Sequence, residues 1–142
     1  MWFKIYVINI IVYIKNMIKK SIILFAHGSR RLSWRQPFDN LLEKMREMNP
    51  DAIIELAFLE LMQPSLDDTL SKIIQTHNCK DITICPIFLG KGGHIERDLI
   101  NIIDKFKLDN QVSDDINLKI LPTIGERDSI LNFIAQDIFS QI

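Results

Sequence analysis

With 142 residues, 47% of them hydrophobic and 25% charged, the chain has the make-up of one ordinary globular domain. A formal net charge of -1 supplies no global basic field of the kind that draws nucleic acid. Two cysteines, Cys79 and Cys85, are too few for a disulfide scaffold or a four-cysteine metal site, so reduced thiols and a cytoplasmic location are expected.

Residues 1–16 stand apart from the rest. Their apolar run, 5–14, is broken by Asn9 and falls short of the ~20 apolar residues that span a membrane. No small-residue cleavage site follows it, as a secretory leader would require. Met17, followed by Ile-Lys-Lys and a clean strand, reads as the start of the domain. Residues 1–16 are therefore set aside as an N-terminal extension, accounted for by a displaced start, and 17–142 as the domain; an added strand or a membrane-peripheral arm is the alternative.

From Lys20 the pattern alternates apolar runs with amphipathic stretches. Residues 22–26 are continuously apolar and predict a buried strand, followed by a polar loop over 27–36. Phe38, Leu41, Leu42, Met45 and Met48 recur at helical spacing until Asn49-Pro50 stops the helix. A second strand is predicted over 52–59. Pro64 then opens a helix with Asp67 and Asp68 in its first turn and Leu66, Leu70, Ile73 and Ile74 on one face. The third strand, 82–88, contains Pro86, which argues for a strand end or a bulge there. Gly90, Gly92 and Gly93 follow, then a helix carrying Leu99, Ile102, Ile103 and Phe106. Residues 118–121 make a short fourth strand, placed at an edge because Lys119 interrupts it, and a last helix carries Ile130, Phe133, Ile134 and Ile138.

Four strand–helix units imply a single-domain, flavodoxin-like α/β fold: a parallel sheet of about four strands with helices on both faces and right-handed crossovers. Such sheets bind ligands at the carboxyl ends of their strands. There the sequence places His27 after the first strand, Glu60 after the second and His94 after the third, 33 and 34 residues apart, close to one structural unit each. A strand order 2-1-3-4 would set His27 and His94 on either side of the switch point. Two imidazoles and a carboxylate suit Fe²⁺, Co²⁺, Ni²⁺ or Zn²⁺ better than Mg²⁺, and the same groups accept protons near neutrality. Arg30, Arg31 and Arg35 form a basic cluster on the same rim, with Lys91 opposite. Other motifs fail on single residues: Lys91 is followed by Gly92 where a phosphate-binding P-loop needs Ser or Thr, Ala26 precedes His27 where a histidine phosphatase carries Arg, and no G-x-S-x-G elbow is present.

Three segments in register are recognisable together. Phe25-Ala26-His27-Gly28-Ser29-Arg30, Ala57-Phe58-Leu59-Glu60-Leu61-Met62-Gln63-Pro64-Ser65 and Pro86-Ile87-Phe88-Leu89-Gly90-Lys91-Gly92-Gly93-His94-Ile95 resemble the small sirohydrochlorin cobaltochelatases, the short single-domain class II chelatases. The resemblance runs from Met17 to about Ile138. It implies insertion of a divalent metal, Co²⁺ first and Fe²⁺ next, into sirohydrochlorin, for cobalamin or siroheme. His27, Glu60 and His94 would bind metal and take up pyrrole protons. Ser29, Arg30, Arg31, Arg35, Lys91, Gly92 and Gly93 would hold the many-carboxylate macrocycle. It also implies a homodimer, with no nucleotide, no iron–sulfur cluster, no nucleic acid and no membrane partner. A non-catalytic metal or tetrapyrrole carrier on the same fold is the main alternative, and a phosphatase-type hydrolase a lesser one. A chain beginning at Met17 is expected to fold and act as the whole chain does; circular dichroism and a metal-insertion assay on the two proteins check this.

Overall fold

A computed structural model describes residue 7, residues 20–90 and residues 93–142. The extension 1–16 therefore lies, but for Val7, outside the described residues, as do Lys91 and Gly92. Four strands, β1 (Lys20–Ala26), β2 (Ile53–Phe58), β3 (Asp81–Pro86) and β4 (Asn117–Ile120), form one parallel sheet in the order β2-β1-β3-β4. Between and after them come the helices α1 (Gln36–Met48), α2 (Leu66–His77), α3 (Gly93–Asp109) and α4 (Asp128–Ser140). This is the predicted architecture, with the fourth strand at an edge.

Alternation of side chains across each strand splits the core in two. On one face Ile23 and Phe25 of β1 and Ile82 and Ile84 of β3 are buried against Leu66, Leu70 and Ile73 of α2 and Leu99, Ile103 and Phe106 of α3. On the other, Leu24, Ala26, Leu56 and Phe58 meet Trp34, Phe38, Leu42 and Met45 from α1 and the 3-10 turn before it. The inner strands β1 and β3 read as apolar runs because both of their faces are covered.

Four details depart from the sequence expectation. The helix after β2 begins at Leu66, not Pro64: Ser65 caps it, its Oγ accepting from Asp68 N–H at 3.2 Å while Asp68 Oδ2 accepts from Ser65 N–H at 3.3 Å. Pro64 instead continues the sheet edge, its carbonyl accepting from Phe58 N–H at 2.9 Å across a cis Gln63–Pro64 bond. The polar loop after β1 contains a 3-10 turn, Leu32–Arg35, that runs straight into α1. The third strand stops at Pro86, the point its proline marked, and not at residue 88, although Ile87 N–H still donates to the Phe25 carbonyl at 2.8 Å. The last helix forms where the 3.6-residue period placed it, yet buries no residue: Phe133 is 69% and Phe139 74% exposed. Its periodicity encodes an apolar face and says nothing of what covers it.

The outer strands are marked by charge. In β2, Glu55 is clasped by Lys72 Nζ at 2.7 Å and Arg46 Nη2 at 3.5 Å. Four-residue β4 exposes Asn117 and Lys119.

At the carboxyl edge, backbone pairing outlasts the strands. Leu59 N–H donates to the Ala26 carbonyl at 2.9 Å and Glu60 N–H to the His27 carbonyl at 3.0 Å. The next residue, Gly28, sits at φ +99°, and a Cβ there would overlap the Glu60 carbonyl oxygen. Glycine is required on both counts. Gly90, by contrast, has nothing within 4 Å of where a Cβ would go. Gly28→Ala should therefore cost at least about 2 kcal/mol in urea denaturation. Gly90→Ala should change stability by no more than about 1 kcal/mol in the same measurement.

Candidate active site

His27 directly follows β1, Glu60 lies two residues past β2 and His94 is the second residue of α3. They come from three segments far apart in sequence, and the sheet order brings them to one cleft of about 460 Å³, lined also by Leu59, Asp98, Asn101 and Ile102. His27 Nδ1 is 3.6 Å from Glu60 Oε1, with the two side chains 46% and 53% exposed. That spacing is longer than a hydrogen bond, so the pair is adjacent but open. The His27 ring stands edge-on to Phe88 with centroids 6.3 Å apart, and Phe88 in turn packs edge-on to Phe25 at 5.9 Å. The imidazole thus rests on the apolar core while its polar edge faces the cleft. His94 is exposed in the first turn of its helix. Among the described residues no three His, Cys, Asp or Glu side chains stand close enough to enclose a metal ion. The arrangement is an open set of proton acceptors and metal donors.

The basic cluster divides in two. Arg30 and Arg31 are exposed, and the turn carrying them is closed by Arg31 N–H donating to Ser29 Oγ at 3.1 Å. Arg35 is engaged: Nε and Nη2 each donate to Asp39 at 2.9 Å, Nη1 donates to the Gln63 carbonyl at 3.2 Å, and the guanidinium lies 5.4 Å from the centre of the Phe58 ring. The same hydrogen bond holds the Asp39 carboxyl below the usual carboxylate range. Arg35 therefore fastens the start of α1 to the loop after β2. Gly93 is the first residue of α3.

Loop residues 61 and 62 part company. Leu61, at φ 62°, is 56% exposed, whereas Met62 is 9% exposed and belongs to the core beneath α1, as does half-buried Trp34, stacked 4.6 Å from Phe38. A shallow hollow of about 480 Å³ shares Leu59 and Glu60 with the cleft and extends toward Leu32 and Arg35. Across α3 lies a more enclosed hollow of about 330 Å³, lined by Pro86, Leu99, Ile100, Leu121 and Pro122 among others, which has no imidazole in its wall. Its titratable groups are the carboxylates Glu96 and Glu126, whereas both imidazoles of the rim lie on the His94 side of the helix. Asp98 and Asn101 escaped the sequence reading, although their spacing of four and seven residues from His94 marks them as sharing its face.

Similarity to known proteins runs through nearly the whole described domain. The CbiX family model matches residues 21–141. A sirohydrochlorin cobaltochelatase of Methanococcus aeolicus is 32% identical over 84 residues, which are 59% of this chain and 58% of that protein. The chain thus matches somewhat over half the length of that relative. A CbiX protein of Marinobacter aquaeolei VT8 superposes with a TM-score of 0.71 at 26% identity, over 86% of this chain and 95% of that one. The sirohydrochlorin chelatase SirB of a Bacillus subtilis subspecies, solved in complex with cobalt, shares the fold at a TM-score of 0.71 and 20% identity, this chain covering 50% of it. By the family match over residues 21–141, and by the sheet order and rim just described, this chain belongs to the CbiX family.

Proposed function

We propose that the protein inserts a divalent metal ion, Co²⁺ before Fe²⁺, into sirohydrochlorin. The observation that carries this reading is the convergence of His27, Glu60 and His94 on one cleft at the carboxyl edge of a CbiX-family sheet. Metal enters as substrate. His27 and His94 offer nitrogen donors of the right softness, and Glu60 a carboxylate beside His27. An open set of donors holds an ion loosely enough to pass it on. Metallation releases two pyrrole protons, and a neutral imidazole with a neighbouring carboxylate is a suitable acceptor pair. Arg30 and Arg31 are the groups exposed to meet the carboxylates of the macrocycle, with Ser29 shaping their turn, and the same task is assigned to Lys91, Gly92 and Gly93. Arg35, already committed to Asp39, contributes by fixing the rim. No nucleotide and no iron–sulfur cluster enter this scheme, and a cytoplasmic location goes with it. Among the described residues no helix is long and apolar enough to cross a membrane.

The same reading includes a homodimer with two rims facing one ligand. One cleft supplies one wall for a flat macrocycle, and a two-fold mate would supply the other. Leu61 and Leu32, exposed beside the cleft, are the apolar side chains such pairing would cover; Met62 and Trp34 are already spent on the core.

His27→Ala and His94→Ala should each lower the insertion rate at least about 100-fold, and Glu60→Gln at least about tenfold, read by the absorbance of the metallated product. All three sites are exposed, so thermal midpoints should stay near that of the parent. Normal insertion in both histidine variants would end the assignment. Light scattering at assay concentration should give twice the chain mass; an active monomer with tetrapyrrole bound would rule out the paired rims.

A further inference from the structure

α3 turns a row of side chains toward the cleft. His94, Asp98 and Asn101 stand at i, i+4 and i+7 of the helix, and all three line the cleft that holds His27 and Glu60. The rotation of the helix about its axis is fixed by Leu99, Ile103 and Phe106, which are 2%, 6% and 3% exposed. The core therefore fixes the face of the helix that Asp98 occupies. Helical side chains lean toward the helix N-terminus, which carries Asp98 back toward the turn bearing His94. Among the described residues no lysine or arginine lines this cleft. Among the described residues Asp98 takes part in no ion pair. Two carboxylates thus share the cleft with the two imidazoles, and among the described residues no cationic side chain stands with them.

We propose that Asp98 is a second metal-binding carboxylate of this site: it holds the incoming hydrated dication beside Glu60, through the ion's water shell, before the imidazoles take it. This rests on the chelatase reading above. Two carboxylates supply two negative charges, which balance a dication, where Glu60 alone leaves one positive charge uncompensated. A hold through water fits the spacing, since no three acidic, imidazole or thiol groups among the described residues reach one ion directly. It also leaves the inner shell of the metal free for exchange onto nitrogen. Asn101, uncharged and one turn on, gives the ion's waters a further hydrogen-bonding neighbour without adding charge.

The test uses the intact protein twice. In the first arm Co²⁺ is titrated without tetrapyrrole, and the paramagnetic broadening of the His27 and His94 ring-proton signals is followed. In the second, insertion is measured with Co²⁺ varied at saturating sirohydrochlorin. D98N should raise both the titration midpoint and the KM for Co²⁺ about tenfold. Its kcat and its KM for sirohydrochlorin should change far less, and D98E should restore affinity for Co²⁺. An unchanged midpoint in D98N overturns the assignment, as does a fall in kcat with the KM for Co²⁺ unmoved, or a D98E variant as weak as D98N. If the parent protein binds Co²⁺ in an Asp98-dependent way yet inserts none, the chelatase reading falls while the role of Asp98 stands.

Discussion

Two backbone hydrogen bonds beyond the ends of β1 and β2 hold the site together. The Leu59 N–H bond to the Ala26 carbonyl extends the parallel ladder by one step, and the Glu60 N–H bond to the His27 carbonyl then ties together what would otherwise be two separate loops. A parallel ladder fixes register residue by residue, so Glu60 has no freedom to slide along His27. Gly28 then turns away in a conformation only glycine enters readily, and it leaves just the space the Glu60 carbonyl fills. The third segment is fixed differently. Ile87 N–H donates to the Phe25 carbonyl at 2.8 Å, and Gly125, which leaves no space for a Cβ beside the Leu89 carbonyl, donates its N–H to the Phe88 carbonyl at 3.1 Å. Phe88 is thereby set under the His27 ring. The imidazole and the carboxylate are positioned by main chain, and main chain is indifferent to most side-chain changes nearby.

The electrostatics of the edge follow from the same layout. Acidic and imidazole groups lie in the cleft, while the exposed guanidinium groups of Arg30 and Arg31 stand on the turn after β1, outside the cleft wall. Arg35, which could have blurred this separation, is neutralised by a two-pronged pair with Asp39 and anchored to the Gln63 carbonyl. Carboxylate and imidazole groups on one side and exposed guanidinium groups on the other are thus kept as neighbours.

How much of this could be read from the chain depends on what encodes it. The sheet, its helices and the edge position of the fourth strand come from hydrophobic period and length, which are local and repeated. The meeting of His27, Glu60 and His94 was also legible, because residues one strand–helix unit apart occupy equivalent places at the sheet edge. Individual partners were not. Nothing in the sequence tells Arg35 from Arg30 until the helix start places Asp39 four residues on, and the periodic pattern cannot show that Met62 folds inward while Leu61 points out. Pro64 looked like a helix opener because proline favours that position, but Ser65 with Asp68 forms the stronger cap. Asp98 was missed for a different reason: it falls in a helix whose core face was being traced, and a polar residue beside Leu99 looks like solvent side until the neighbouring strand ends are put in place.

The charged outer strands bear on how copies of this molecule can meet. An open sheet ordinarily offers unpaired backbone groups along each margin, and these are the usual template for uncontrolled strand addition. Here one margin is guarded by Glu55 between Arg46 and Lys72. The other is only four residues long, with Lys119 exposed upon it. Neither margin invites a foreign strand, so association between molecules falls to side-chain surfaces, where it can be specific in shape and limited in number.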